Sequence, residues 1–108
     1  MRPTTEHTPK TVAEIVSFHL KDGVDVETFQ DAADKTAEAV RAFGGCLGRH
    51  LTCAADGLWT DIVIWKDMDT ALKAAETVVQ DPAFAPFGSM IDPTTVSMRH
   101  SEVVWQMD

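Results

Sequence analysis

Residues 57–66, Gly-Leu-Trp-Thr-Asp-Ile-Val-Ile-Trp-Lys, constrain the fold of this chain more than any other stretch. They read as one β-strand entered through a glycine turn, with large apolar side chains on both of its faces. Alternation sends Leu58, Thr60, Ile62 and Ile64 to one side and Trp59, Asp61, Val63 and Trp65 to the other. The isoleucine side reads as an ordinary core face. The side carrying two tryptophans and a carboxylate reads as a pocket wall, or as a surface that another chain covers.

The segments around this strand fix its setting. Val12 to Leu20 alternates as a first strand, and Lys-Asp-Gly-Val-Asp at 21–25 makes a turn. Asp25 is an N-cap for a helix running to about Phe43, with Phe29, Ala33, Ala37 and Val40 at helical spacing. Gly44-Gly45 stops that helix. A second strand, Cys46 to Ala54, joins the third through the hairpin-like Ala-Ala-Asp-Gly. A second helix begins near Asp67 or Asp69, buries Met68, Ala71, Leu72, Ala75 and Val78, and ends before Pro82. An apolar connection carrying Phe84, Phe87, Met90 and Ile91 leads to a last strand from about Thr95 to Gln106.

The order β-α-β-β-α-β predicts an α+β, ferredoxin-like fold: one four-stranded antiparallel sheet with both helices on one face. Residues 1–11 read as a flexible polar tail and 12–108 as the domain. Two helices cover only one face of such a sheet. With Trp59, Val63 and Trp65 assigned to the other face, a large apolar patch would stand bare, which monomers rarely tolerate. The simplest cover is a second copy packed face to face, so the expectation is a homodimer through the helix-free sheet face.

Composition narrows the function classes. At 108 residues the chain makes one domain, and its net charge of −8 with scattered Lys and Arg excludes nucleic acid and a polybasic membrane surface as partners. No apolar run approaches the roughly 20 residues of a membrane span, and no signal-peptide pattern opens the chain, so cytoplasmic residence is the expectation. Cys46 and Cys53 sit seven positions apart in one strand, roughly 23 Å, too far for a disulfide; they read as reduced thiols.

Four segments then carry a family likeness: KDGVDVETF opening the first helix, FGGCL entering the second strand, DIVIWKDMDTA leading from the third strand into the second helix, and DPAFAPF after it. Together, over roughly Val12 to Trp105, the chain resembles the dimeric α/β barrel superfamily, and most closely its antibiotic biosynthesis monooxygenase-like domains. The resemblance implies a small-molecule-binding dimer, a cofactor-independent monooxygenase or related oxidoreductase acting on an aromatic or polyketide-like substrate; the alternative is a non-catalytic binding or stress-response dimer. In cofactor-independent members, an Asn and a Trp four residues later on the third strand line the substrate cavity. Asp61 and Trp65 hold those positions here, so Asp replaces Asn and the amide donor is lost. A haem-degrading branch uses a histidine on the second helix, and Met68 to Gln80 contains none.

Within that frame Asp61 is the candidate catalytic residue. Set between indoles it could act as a general base toward a phenolic or enolic substrate; paired with Arg49, Arg99 or a partner residue it would hold structure instead. His19, placed by strand parity on the same side as Asp61, is its candidate proton carrier. Trp59 and Trp65 offer stacking walls, and Arg49 and His100 complete the candidate substrate-binding set. The facing of His50 and His100 stays open at this level. The histidines lack any close metal-ligand spacing, so no metal and no cofactor are expected.

Overall fold

The computed structural model describes residues 10–107; most of the tail assigned to 1–11 lies outside them. The chain runs β1 (Val12–Phe18), α1 (Val26–Phe43), β2 (Cys46–Cys53), β3 (Trp59–Trp65), α2 (Met68–Thr77), α3 (Phe84–Ser89) and β4 (Ser97–Glu102). The strands form one antiparallel sheet in the order β2-β3-β1-β4, the ferredoxin-like arrangement the sequence predicts. The apolar connection after α2 holds more regular structure than its Pro and Gly content suggests, in the form of α3. No helix among the described residues is long and apolar enough to cross a membrane.

Both long helices begin as their sequences dictate. The carboxylate of Asp25 accepts from the Thr28 backbone N–H at 2.7 Å, and that of Asp67 from Thr70 N–H at 2.8 Å. Hydrogen bonding from the side chains of Thr28 and Thr70 first, and from their backbone N–H groups second, holds each carboxyl below its usual range. A depressed acid stabilises the fold above its unfolded pKa and loses that contribution as pH falls through the folded one. Asp67→Ala is therefore expected to lower the thermal midpoint at pH 7, and the deficit should begin to shrink below about pH 4, the unfolded value, and go on shrinking as pH falls through the lower folded pKa. Thermal melts across that range provide the check.

Gly44 and Gly45 follow α1 with φ of 91° and 92°. The second is the more constrained, since a Cβ there would come within 2.8 Å of Thr70 Cγ2, at the start of α2. Lys66 N–H donates to the Gly45 carbonyl at 2.9 Å, so this close approach ties the end of β3 to the start of β2.

Register decides which face of the sheet is which. Trp59 stands opposite Phe18, Asp61 opposite Val16, Val63 opposite Glu14 and Trp65 opposite Val12, and residues directly opposite share a face. That face is the one the helices cover. Trp65 and Val63 pack with Val40 of α1 and Ala71 and Ala74 of α2; Trp59 packs with Phe18, Phe29 and Phe87. The sequence-based assignment of Trp59, Asp61, Val63 and Trp65 to the helix-free face is therefore reversed. Ile62 and Ile64 occupy that face instead, paired with Ile15 and Ala13. The helical stripes turn accordingly: Ala32 and Thr36 are buried where Ala33 and Ala37 were expected, and Ala74 where Leu72 and Ala75 were, Leu72 being exposed.

Phe29 is the centre of the aromatic cluster, 0% exposed, with its ring centroid 4.9 Å from both Trp59 and Phe87 and 5.7 Å from Phe18. Phe87 of α3 stacks on it, so the connection is tied into the core. Backbone bonds from Lys21 to the Met90 carbonyl and from Asp92 to the His19 carbonyl, both 2.9 Å, close that segment against the end of β1.

Candidate functional site

Between the helix-covered face of the sheet and the roof formed by α1, α2 and α3 lies a cavity of about 240 Å³. Its roof is apolar, with Val40, Ala74, Val78, Phe84 and Phe87 against it, and Trp65 and Val63 extend that character onto the floor. The floor also carries three charged side chains, Glu14, Arg49 and Asp61. The edge strand supplies Met98, itself 48% exposed, so the cavity reaches the surface along β4.

Two cross-strand rows explain how these polar groups come together. One runs Arg49–Val63–Glu14–His100 and the next Leu51–Asp61–Val16–Met98. Arg49 is the diagonal neighbour of Asp61, close enough for a long side chain to bridge. Its Nε donates to Asp61 Oδ1 at 3.0 Å and its Nη2 to Oδ2 at 2.9 Å, a bidentate fork. Nη1 donates to Thr36 Oγ1 at 2.7 Å, and that hydroxyl donates onward to the Ala33 carbonyl at 2.6 Å. The guanidinium also lies 5.7 Å from the Phe87 ring centroid. Buried to 7% exposure, Asp61 thus has both oxygens engaged by one cation.

Glu14 is buried to a similar degree, 8% exposed, yet held differently. Its Oε2 lies 2.9 Å from His100 Nε2. Oε1 accepts no hydrogen bond among the described residues, and Glu14 is one of the side chains that line the cavity. Trp65 is a fourth polar side chain here: its buried indole N–H has no acceptor among the described residues.

Asp61, Arg49 and Trp65 meet at the cavity. His100 stands one step behind it, through Glu14. Trp59 does not line the cavity but lies beneath Phe29 in the aromatic core, so its substrate-binding assignment is corrected. His19 is corrected too. It follows Phe18 on the opposite parity, its ring neighbours Gly57 in the β2–β3 hairpin, and its backbone N–H donates to Thr95 Oγ1 at 2.9 Å. His50, paired with Ile62, lies on the helix-free face, and no three His, Cys, Asp or Glu side chains among the described residues gather as a metal site.

Sequence reasoning missed Glu14 and Thr36. Glu14 did carry a signal, since it is the one acid on the β1 face that Val12, Val16 and Phe18 mark as core. Thr36 carried none, because a threonine on a helix is ordinary until the arginine across from it is known.

No family model and no curated protein sequence matches the chain. Solved structures do. An antibiotic biosynthesis monooxygenase candidate from Bordetella bronchiseptica superposes with a TM-score of 0.74 at 16% identity, over 89% of this chain and 99% of that one. SnoaB, a cofactor-independent oxygenase from Streptomyces nogalater, gives 0.60 at 16% identity, over 92% and 96%. A further candidate of the same kind, from Caulobacter crescentus CB15, gives 0.67 at 15% identity, over 91% and 93%. This chain therefore has the fold of the antibiotic biosynthesis monooxygenase-like domains, along nearly its full length.

Proposed function

We propose that this protein binds a compact aromatic molecule in the sheet–helix cavity and oxygenates it without a bound cofactor. The observation that carries the reading is the cavity itself: an apolar, aromatic-walled space whose floor presents a few fixed polar groups. Its 240 Å³ falls below the roughly 300–1,000 Å³ of drug-sized pockets, which favours a one- or two-ring ligand over an extended polyketide. SnoaB, which shares the fold, is a cofactor-independent oxygenase. In this role Trp65 and Phe87 hold the ring, and Asp61 and Arg49 form a rigid polar wall. A second reading, binding without turnover, is favoured by the state of Asp61, because accepting a substrate proton would break its charge-assisted fork with Arg49.

The proposed assembly is a homodimer of cytoplasmic residence, built through the helix-free face. Ile15, Ile62 and Ile64, half-buried on that face, support it. Trp105, 75% exposed, is a further apolar group that a second copy could cover.

1-Naphthol tests the reading, because its conversion to 1,4-naphthoquinone balances without a reductant: one oxygen atom enters the ring, the other leaves as water, and the substrate supplies the electrons. Native mass spectrometry should find a dimer that takes up naphthol, and a reaction under ¹⁸O₂ should yield quinone with a single label. Uptake without quinone selects the binding-only reading. No uptake overturns both.

A further inference from the structure

Two acids face the cavity, and the structure distinguishes them. Asp61 has both oxygens engaged by Arg49, whereas Glu14, which also lines the cavity, has one oxygen on His100 and the other without a donor among the described residues. We infer that Glu14, positioned by His100, selects the ligand: it accepts a hydrogen bond from a neutral aromatic hydroxyl and turns away aromatic carboxylates. The inference rests on the cavity being the ligand site, but it assigns the discrimination to a pair of residues that is not the Asp61–Trp65 pair.

The charge arrangement argues for this selection. A ligand carboxylate entering from the β4 side would meet the Glu14 carboxylate directly. Arg49 is the cation on the cavity floor, and its charge is already matched by the bidentate Asp61 carboxylate, with a third N–H on Thr36. The α2 residues against the cavity, Ala74 and Ala75, bring no charge. On β4, Glu102 shares the face of His100 two residues on and is acidic as well. A ligand anion therefore meets two carboxylates and no cation whose charge is not already matched, and burying an uncompensated charge is costly. A neutral hydroxyl finds the reverse, an open acceptor at the end of an apolar slot.

His100 is a positioning residue. With Nε2 2.9 Å from Oε2, it holds that oxygen and leaves Oε1 as the free acceptor of the pair. His100 does not line the cavity, so its effect on a ligand passes through Glu14.

Anaerobic calorimetric titration of the full-length protein with 1-naphthol, 1-naphthoate and naphthalene tests the assignment. Wild type should bind naphthol at least about tenfold more tightly than either of the others, the size expected of one hydrogen bond to a charged acceptor. Glu14→Gln keeps the side-chain volume and should erase most of that preference by weakening naphthol and admitting naphthoate. His100→Gln should narrow the same ratio while leaving naphthalene binding unchanged, which a merely structural role would not do. Equal affinity for naphthol and naphthalene in wild type, or an unchanged ratio in Glu14→Gln, overturns the inference and leaves the cavity reading standing. Failure to bind any of the three, naphthalene included, removes the cavity reading and the inference with it. The wild-type comparison alone decides if a variant does not fold.

Discussion

Arg49→Met is expected to destabilise the protein by about 3–5 kcal/mol, because it leaves the Asp61 carboxylate buried without its cation. The loss comes less from the attraction removed than from the stranded charge, which sits at 7% exposure under α1. The Arg49 side chain retains 17% exposure, so water can partly reach the vacated space and the lower end of the range is the better expectation. Thr36 loses a donor but keeps its bond to the Ala33 carbonyl, and adds little to the cost. The double variant Arg49→Met with Asp61→Leu separates the terms. With both charges gone and the volume filled, it should lie near wild type or above it by up to about 4 kcal/mol. Urea denaturation of the four proteins of this cycle gives the coupling directly. A single-variant loss below about 1 kcal/mol would place the pair in the class of solvent-screened surface bridges and remove Asp61 from the buried floor.

The same pair shows where the sequence was readable. Element order, the Asp25 cap, the end of α1 at Gly44 and the sheet topology all followed from local signals, which act within a few residues of where they are written. On β1 the core face, Val16 and Phe18 against Ser17 and His19, was also legible. The face of β3 was not. Its two sides are both apolar, so alternation fixed the two sets and could not say which set the helices cover. Only the pairing of Asp61 with Val16 settles that, and it is a contact across more than forty positions in sequence. One reversed face carried three errors with it: the tryptophans at a dimer interface, Trp59 on a ligand, and His19 beside Asp61. Side-chain bulk held the missing hint, since Trp59 and Trp65 fill the depth between sheet and helices better than Ile62 and Ile64 would.

Trp65→Ala tests that reversed face, and the expected loss is about 3–5 kcal/mol of monomer stability. Trp65 is 2% exposed and packs with Val12, Val40 and Ala71, so truncation opens a void under both long helices. One term acts the other way. The indole N–H has no acceptor among the described residues, and removing an unsatisfied buried donor recovers desolvation worth about 1–3 kcal/mol. Trp65→Phe, which removes the N–H and keeps most of the ring, should therefore cost far less than the alanine variant. Neither change touches the face proposed to meet a second copy. Ile62→Lys does, and it should leave the monomer folded while dissociating the proposed dimer. Sedimentation of the three variants beside their urea midpoints makes the comparison. If Trp65→Ala instead dissociated a dimer at unchanged monomer stability, the tryptophan face would belong to a partner after all, and the cavity beneath the helices would lose its floor.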